Sequence, residues 1–117
     1  MQLNHIDLPV SDLEGAVNYF EKGFGFERLA TPVPGMAILR GDGGFVVVLN
    51  QADQPVVYPP GFHIGFLQPS DEAVHAAYQR LVEAQLPLLA PPAVMYGVLA
   101  FYAEAPGGIL IEVSHRG

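Results

Sequence analysis

The chain repeats itself, and the repeat restricts its fold more than any other feature. His5 and His63 lie 58 residues apart, about half of the 117-residue length. Ser11-Asp12 and Ser70-Asp71 are offset by 59, as are Tyr19 and Tyr78, and Gly43-Gly44 and Gly107-Gly108 by 64. The growing offset fits a longer loop in the second half. Each half reads as strand, helix, strand, strand, strand. The expected class is therefore α+β, with one domain over residues 1–117 made of two repeated modules, 1–50 and 62–117. The linker 51–61, which holds three prolines, joins them.

In the first half, residues 3–10 alternate apolar and polar, as a half-buried strand does. Ser11 or Asp12 caps a helix expected over 13–22, whose apolar stripe is Ala16, Val17, Tyr19 and Phe20. Strands are expected at 26–30, 36–40 and 45–50, with a Gly-Asp-Gly-Gly turn at 41–44. The second half restarts with a strand at 62–67 and a helix at 72–84 behind the cap Ser70-Asp71. Strands follow at 86–89, 98–102 and 109–114, with a loop at Pro91-Pro92 and a turn at 105–108.

Glu112 interrupts the apolar, β-branched run Ile109-Leu110-Ile111-Glu112-Val113. A carboxylate there has to be paired, protonated or bound to a metal. Parity assigns it a face. Ile6, Leu8, Phe45, Val47, Leu49, Ile64, Phe66, Ile109, Ile111 and Val113 go to the helix-covered side. His5, Asp7, Val46, Val48, His63, Gly65, Leu110, Glu112 and Ser114 go to the other. Under the 64-residue offset Val48 is the repeat-mate of Glu112. If the two halves join into one curved mixed sheet with helices outside, His5, His63 and Glu112 converge on a concave surface.

The net charge of −7, with five scattered basic residues, argues against a nucleic-acid partner. With half the residues apolar and only 15% charged, the chain can build a core and is not a disordered one. No apolar run is long enough to span a membrane. MQLNHIDLPVSDLE lacks the basic and apolar regions of a signal peptide, and there is no cysteine, so a cytoplasmic location is expected.

Three stretches, LNHIDLPVSDLEGAVNYFEKGFGFE, FHIGF and FYAEAPGGILIEV, carry a resemblance to the vicinal oxygen chelate superfamily over essentially the whole chain. It includes glyoxalase I, extradiol ring-cleavage dioxygenases, methylmalonyl-CoA epimerase, fosfomycin-resistance proteins and metal-free bleomycin-resistance proteins. The resemblance implies paired βαβββ modules, in agreement with the duplication. It also implies metal positions at His5, Val48, His63 and Glu112. Valine is no ligand, which sets the chain apart from glyoxalase I and the epimerase. Two His and one Glu match the extradiol set, leave coordination positions open and suit Fe(II).

Tyr102, Ala105, Pro106, Gly108 and Glu112 look like the extradiol tail, although Met95 and Tyr96 stand where its upstream histidine belongs. The fosfomycin proteins' basic residues have no counterpart here: none lies between Arg40 and Arg80, or from 82 to 114.

The expectation is a metal-dependent, dioxygenase-like or lyase/isomerase-like enzyme. Its ion is one divalent metal, Fe(II) or Mn(II) ahead of Zn(II) or Ni(II), on His5, His63 and Glu112. Its substrate is a small, mostly uncharged molecule with two adjacent oxygens, such as a catechol or an α-hydroxycarbonyl. Tyr102 is the candidate proton donor to a bound oxygen, and Asp7 the candidate that orients a ligating His. Met36, Ile38, Met95 and Tyr96 are expected as pocket walls, Val48 as the open coordination face, and Arg40 as the only nearby cation. His75 is expected in solvent, and His115 lies on the opposite parity to Glu112. The alternative is a metal-free binding or resistance protein of the bleomycin-resistance type. The family also implies a homodimer.

Overall fold

The computed structural model describes residues 1–117, which divide into two compact units, Met1–Val57 and Tyr58–Gly117. In the first, β1 (His5–Val10) leads into α1 (Leu13–Phe24), then β2 (Glu27–Ala30), β3 (Met36–Arg40) and β4 (Val46–Gln51). The sheet order is β1-β4-β3-β2, with β1 and β4 parallel and the other pairs antiparallel. The second unit runs β5 (His63–Leu67), α2 (Asp71–Glu83), β6 (Ala93–Met95), β7 (Val98–Ala105) and β8 (Ile109–Arg116), in the order β5-β8-β7-β6. Here β5 and β8 are parallel and the rest antiparallel. Each unit is thus a βαβββ module with its own four-stranded mixed sheet.

The strand registers reproduce the repeat. Asp7 stands beside Val48 and Ile38 opposite it in the first unit; Gly65 stands beside Glu112 and Tyr102 opposite it in the second. Burial follows parity except at Ser114, which is buried although it lies on the face of Glu112. Leu8, Val10, Ala37, Leu39, Val47 and Leu49 are buried with α1's Ala16, Val17, Tyr19 and Phe20. Leu99, Phe101, Ala103, Ile109, Ile111 and Val113 are buried with α2's Val74 and Leu81. Val48 alternates with buried Val47 and Leu49 and so faces away from α1, as expected.

Several boundaries differ from the sequence reading, each for a local reason. Helix α1 passes through buried Gly23 and stops two residues later than expected. Its left-handed residue is Gly25 (φ 71°), whose amide bonds to Glu21 O while that of Phe26 bonds to Phe20 O. The Gly25 bond is that of an αL helix end, and an apolar contact closes it, Phe20 on Phe26 with ring centroids 5.4 Å apart.

The strand expected at 86–89 is absent, because Pro87 lacks the amide that a ladder uses. Only a single bridge, Leu88 to Ala103, remains. Its place in the module is taken by β6, a segment to which the sequence pattern assigns no element and of which Met95 is expected as a pocket wall. A two-residue turn, Tyr96-Gly97, joins β6 to β7 with both φ positive (52° and 76°), the type I′ geometry of tight hairpins. Finally, β8 runs two residues past the expected end. No helix is long and apolar enough to cross a membrane.

Candidate functional site

The second unit assembles a polar cluster around Glu112. Its neighbours Ile111 and Val113 are fully buried on the helix side, so the carboxylate emerges on the opposite face, with its side chain 20% exposed. Tyr102 sits directly across the antiparallel ladder, and its Oη donates to Glu112 Oε2 at 2.6 Å. That bond, helped by burial and by the carboxylate's charge, raises the Tyr102 phenol above its ordinary value of 10. The phenol therefore stays protonated at neutral pH. Gly65, beside Glu112 in the parallel pairing, leaves that flank open: a Cβ there would meet only Glu112 O, at 4.0 Å.

His63 opens β5 and completes the cluster. Its Nδ1 lies 2.9 Å from Gly61 O, a pure acceptor, so Nδ1 carries a proton and donates. In the neutral ring Nε2 is then the lone-pair nitrogen, and it lies 3.8 Å from Glu112 Oε2. A lone pair facing a carboxylate oxygen calls for a proton or a cation between them. The ring of His63 also meets Tyr102 edge-on, with centroids 6.3 Å apart.

Beside this cluster a cleft of about 270 Å³ opens over β6, β7 and β8. Tyr102 and Glu112 line it together with Ala93, Met95, Val98, Ala100, Pro91 and Arg116. Tyr96, expected as a wall, stands at the hairpin tip, 98% exposed and outside the cleft lining. Arg116 was missed because the last strand was expected to end at Ser114. With β8 extended, Arg116 shares the face of Glu112 and pairs with Val98.

The remaining expected residues lie in the first unit. His5 is exposed at the start of β1, with Nδ1 2.7 Å from Asn4 Oδ1. Asn4, not Asp7, holds this ring, since the Asp7 carboxylate accepts from Asn50 Nδ2. Met36, Ile38 and Val48 are half-buried on the face away from α1. Arg40 is exposed and lies 3.7 Å from Glu27 Oε2. Within neither unit do three His, Asp or Glu side chains gather into a metal-holding group.

The second unit nevertheless contributes two donors of a suitable kind, one imidazole nitrogen and one carboxylate oxygen. With metal–donor bonds of about 2.1 Å, cis donors stand roughly 3.0 Å apart and trans donors roughly 4.2 Å. The separation of 3.8 Å falls within that range. Opposite α2, His115 Nδ1 lies 2.7 Å from Asp71 Oδ1, which ties β8 to the helix start and keeps this imidazole out of the cleft.

The sequence signature of the Glyoxalase/Bleomycin resistance protein/Dioxygenase superfamily matches residues 2–113. Among solved structures, that of a possible glyoxalase from Bacillus cereus is 38% identical, with a TM-score of 0.82 and 97% of each chain covered. A glyoxalase/bleomycin resistance protein/dioxygenase from Nocardioides is 22% identical (TM-score 0.78), covering 99% of this chain and 83% of its own. A lactoylglutathione lyase from Agrobacterium tumefaciens is 17% identical (TM-score 0.79), covering 97% and 92%. These last two share the fold. No curated protein sequence matches the chain.

Proposed function

The chain belongs to the Glyoxalase/Bleomycin resistance protein/Dioxygenase superfamily, and from that premise we propose that it is a metal-dependent enzyme of the vicinal oxygen chelate kind. One observation carries the reading: His63 Nε2, its ring oriented by Gly61, lies 3.8 Å from Glu112 Oε2, the oxygen that also accepts from Tyr102 Oη. His63 and Glu112 would hold one divalent ion, Fe(II) or Mn(II) ahead of Zn(II) or Ni(II). His5, the repeat-mate of His63, is proposed as third donor on the sequence pattern alone. When bound, such an ion supplies Lewis-acid polarisation of two adjacent substrate oxygens.

The chain's own residues do the rest. Tyr102 holds a proton on Oη and fixes one oxygen of Glu112. The apolar side chains of β6 and β7 exclude water from the ligand's body. The Bacillus cereus relative suggests glyoxalase-like chemistry. Val48, at the position where glyoxalase I is expected to carry a fourth ligand, favours a three-donor set with an open face, dioxygenase-like or lyase/isomerase-like in outcome. A metal-free binding protein is the second reading. It is favoured by the Tyr102 bond, which already satisfies one oxygen of Glu112 without an ion.

Metal analysis of untagged protein separates the two. We expect roughly one divalent ion per chain in wild type and background levels in Glu112→Ala and His63→Ala. Equal, trace metal in all three would leave the binding-protein reading standing.

A homodimer is part of the same proposal. It is supported by apolar side chains left in solvent, among them Leu67 (70% exposed) on the edge strand β5 and Val94 (71%) on the edge strand β6.

A further inference from the structure

The cleft of the second unit has opposite charges at its two ends. Glu112 and Arg116 lie four residues apart on β8 and on the same face, so their Cα atoms are separated by about 13 Å. Across the ladder they face Tyr102 and Val98, with Ala100 between these two on β7. The small side chain of Ala100 leaves room between the charged ends, and Met95 lines the cleft on β6. Only Glu112 is occupied: Tyr102 donates to it. Arg116 has no ion-pair partner, whereas Arg28 is held by Glu14 at 2.7 Å and Arg40 lies 3.7 Å from Glu27. In a chain with twelve acidic and five basic residues, a guanidinium left without a carboxylate at the rim of an apolar cleft is notable.

We propose that the cleft takes a small organic monocarboxylate, its carboxylate on Arg116 and its apolar body over Ala100, with the opposite end at Tyr102 and Glu112. Guanidinium and carboxylate match as two parallel hydrogen bonds. Glu112 repels an anion from the other end, so the charge arrangement also sets the ligand's direction. A phosphate dianion is disfavoured, because one guanidinium faces it against a net charge of −7. The volume of about 270 Å³ lies just below the range of ligand pockets, roughly 300–1,000 Å³, which limits the body to a single ring or a short chain. The substrate expected from the sequence, small with two adjacent oxygens, gains one charged group at the end remote from those oxygens.

This inference rests on the cleft being the ligand seat, as both readings above hold, and not on an ion being bound there. Its test therefore omits metal. The 117-residue chain in EDTA is titrated with 3-phenylpropanoate and with the neutral 3-phenylpropanamide, followed by backbone N–H chemical shifts. The carboxylate is expected to bind about tenfold tighter than the amide, with shifts concentrated on β6–β8. Arg116→Gln should abolish that preference, the carboxylate losing more affinity than the amide, while Arg116→Lys should retain part of it. Equal affinities in wild type, a preference that survives Arg116→Gln, shifts confined to other strands, or no binding of either compound would each overturn the proposal. Failure of the metal reading is seen separately, in the metal content of Glu112→Ala.

Discussion

The Tyr102 phenol is the best reporter of the site at the level of single residues. Its proton is retained chiefly through the 2.6 Å bond to Glu112, then through burial and the carboxylate's charge. A tyrosine whose folded value is raised contributes stability that is complete below 10. That contribution is lost as pH climbs through the raised value. Ring-carbon NMR of Tyr102 should show ionisation above 10 in wild type and a return toward 10 in Glu112→Gln. An unchanged midpoint would mean that the carboxylate does not hold the proton.

Among elements, the β6–β7 hairpin is the most open to improvement. Its turn places Tyr96 at φ 52°, a conformation that suits Asn or Gly and not a bulky ring, and the ring is 98% exposed. Tyr96→Asn should therefore stabilise the fold, by about 0.5–1 kcal/mol in urea unfolding, since no buried contact is lost. A loss of stability would show that the ring makes a contact that its exposure conceals. The same hairpin forms one wall of the cleft through Met95, so the substitution also tests whether a firmer turn changes ligand affinity.

At the scale of the whole molecule, unpaired strand edges that carry apolar side chains invite association. If the homodimer proposed above forms through the β5 edge, sedimentation equilibrium should give twice the mass of one chain. Leu67→Lys, at a position 70% exposed and thus outside the core, should shift the mass toward a single chain. A monomeric wild type would remove the dimer.

The sequence by itself determined what repeats locally. Period-two alternation in β1, β4 and β8 separated Val47, Leu49, Ile111 and Val113 from Val48 and Glu112, because side-chain direction along a strand depends only on parity. The duplication determined the module, and the half-chain offset determined which positions correspond. Tertiary structure alone decided where strands end and which residues meet across them. Ile109–Arg116 gains its last two residues by pairing with the start of β7, information held at 98–99 and not at 115–116, and that pairing brings Arg116 to the cleft. Residues 93–95 are a strand because β7 accepts their backbone, whereas Pro87, legible in the sequence, withholds a ladder amide from 86–89. The Tyr102 bond to Glu112 likewise follows from register across an antiparallel ladder, which local pattern does not encode.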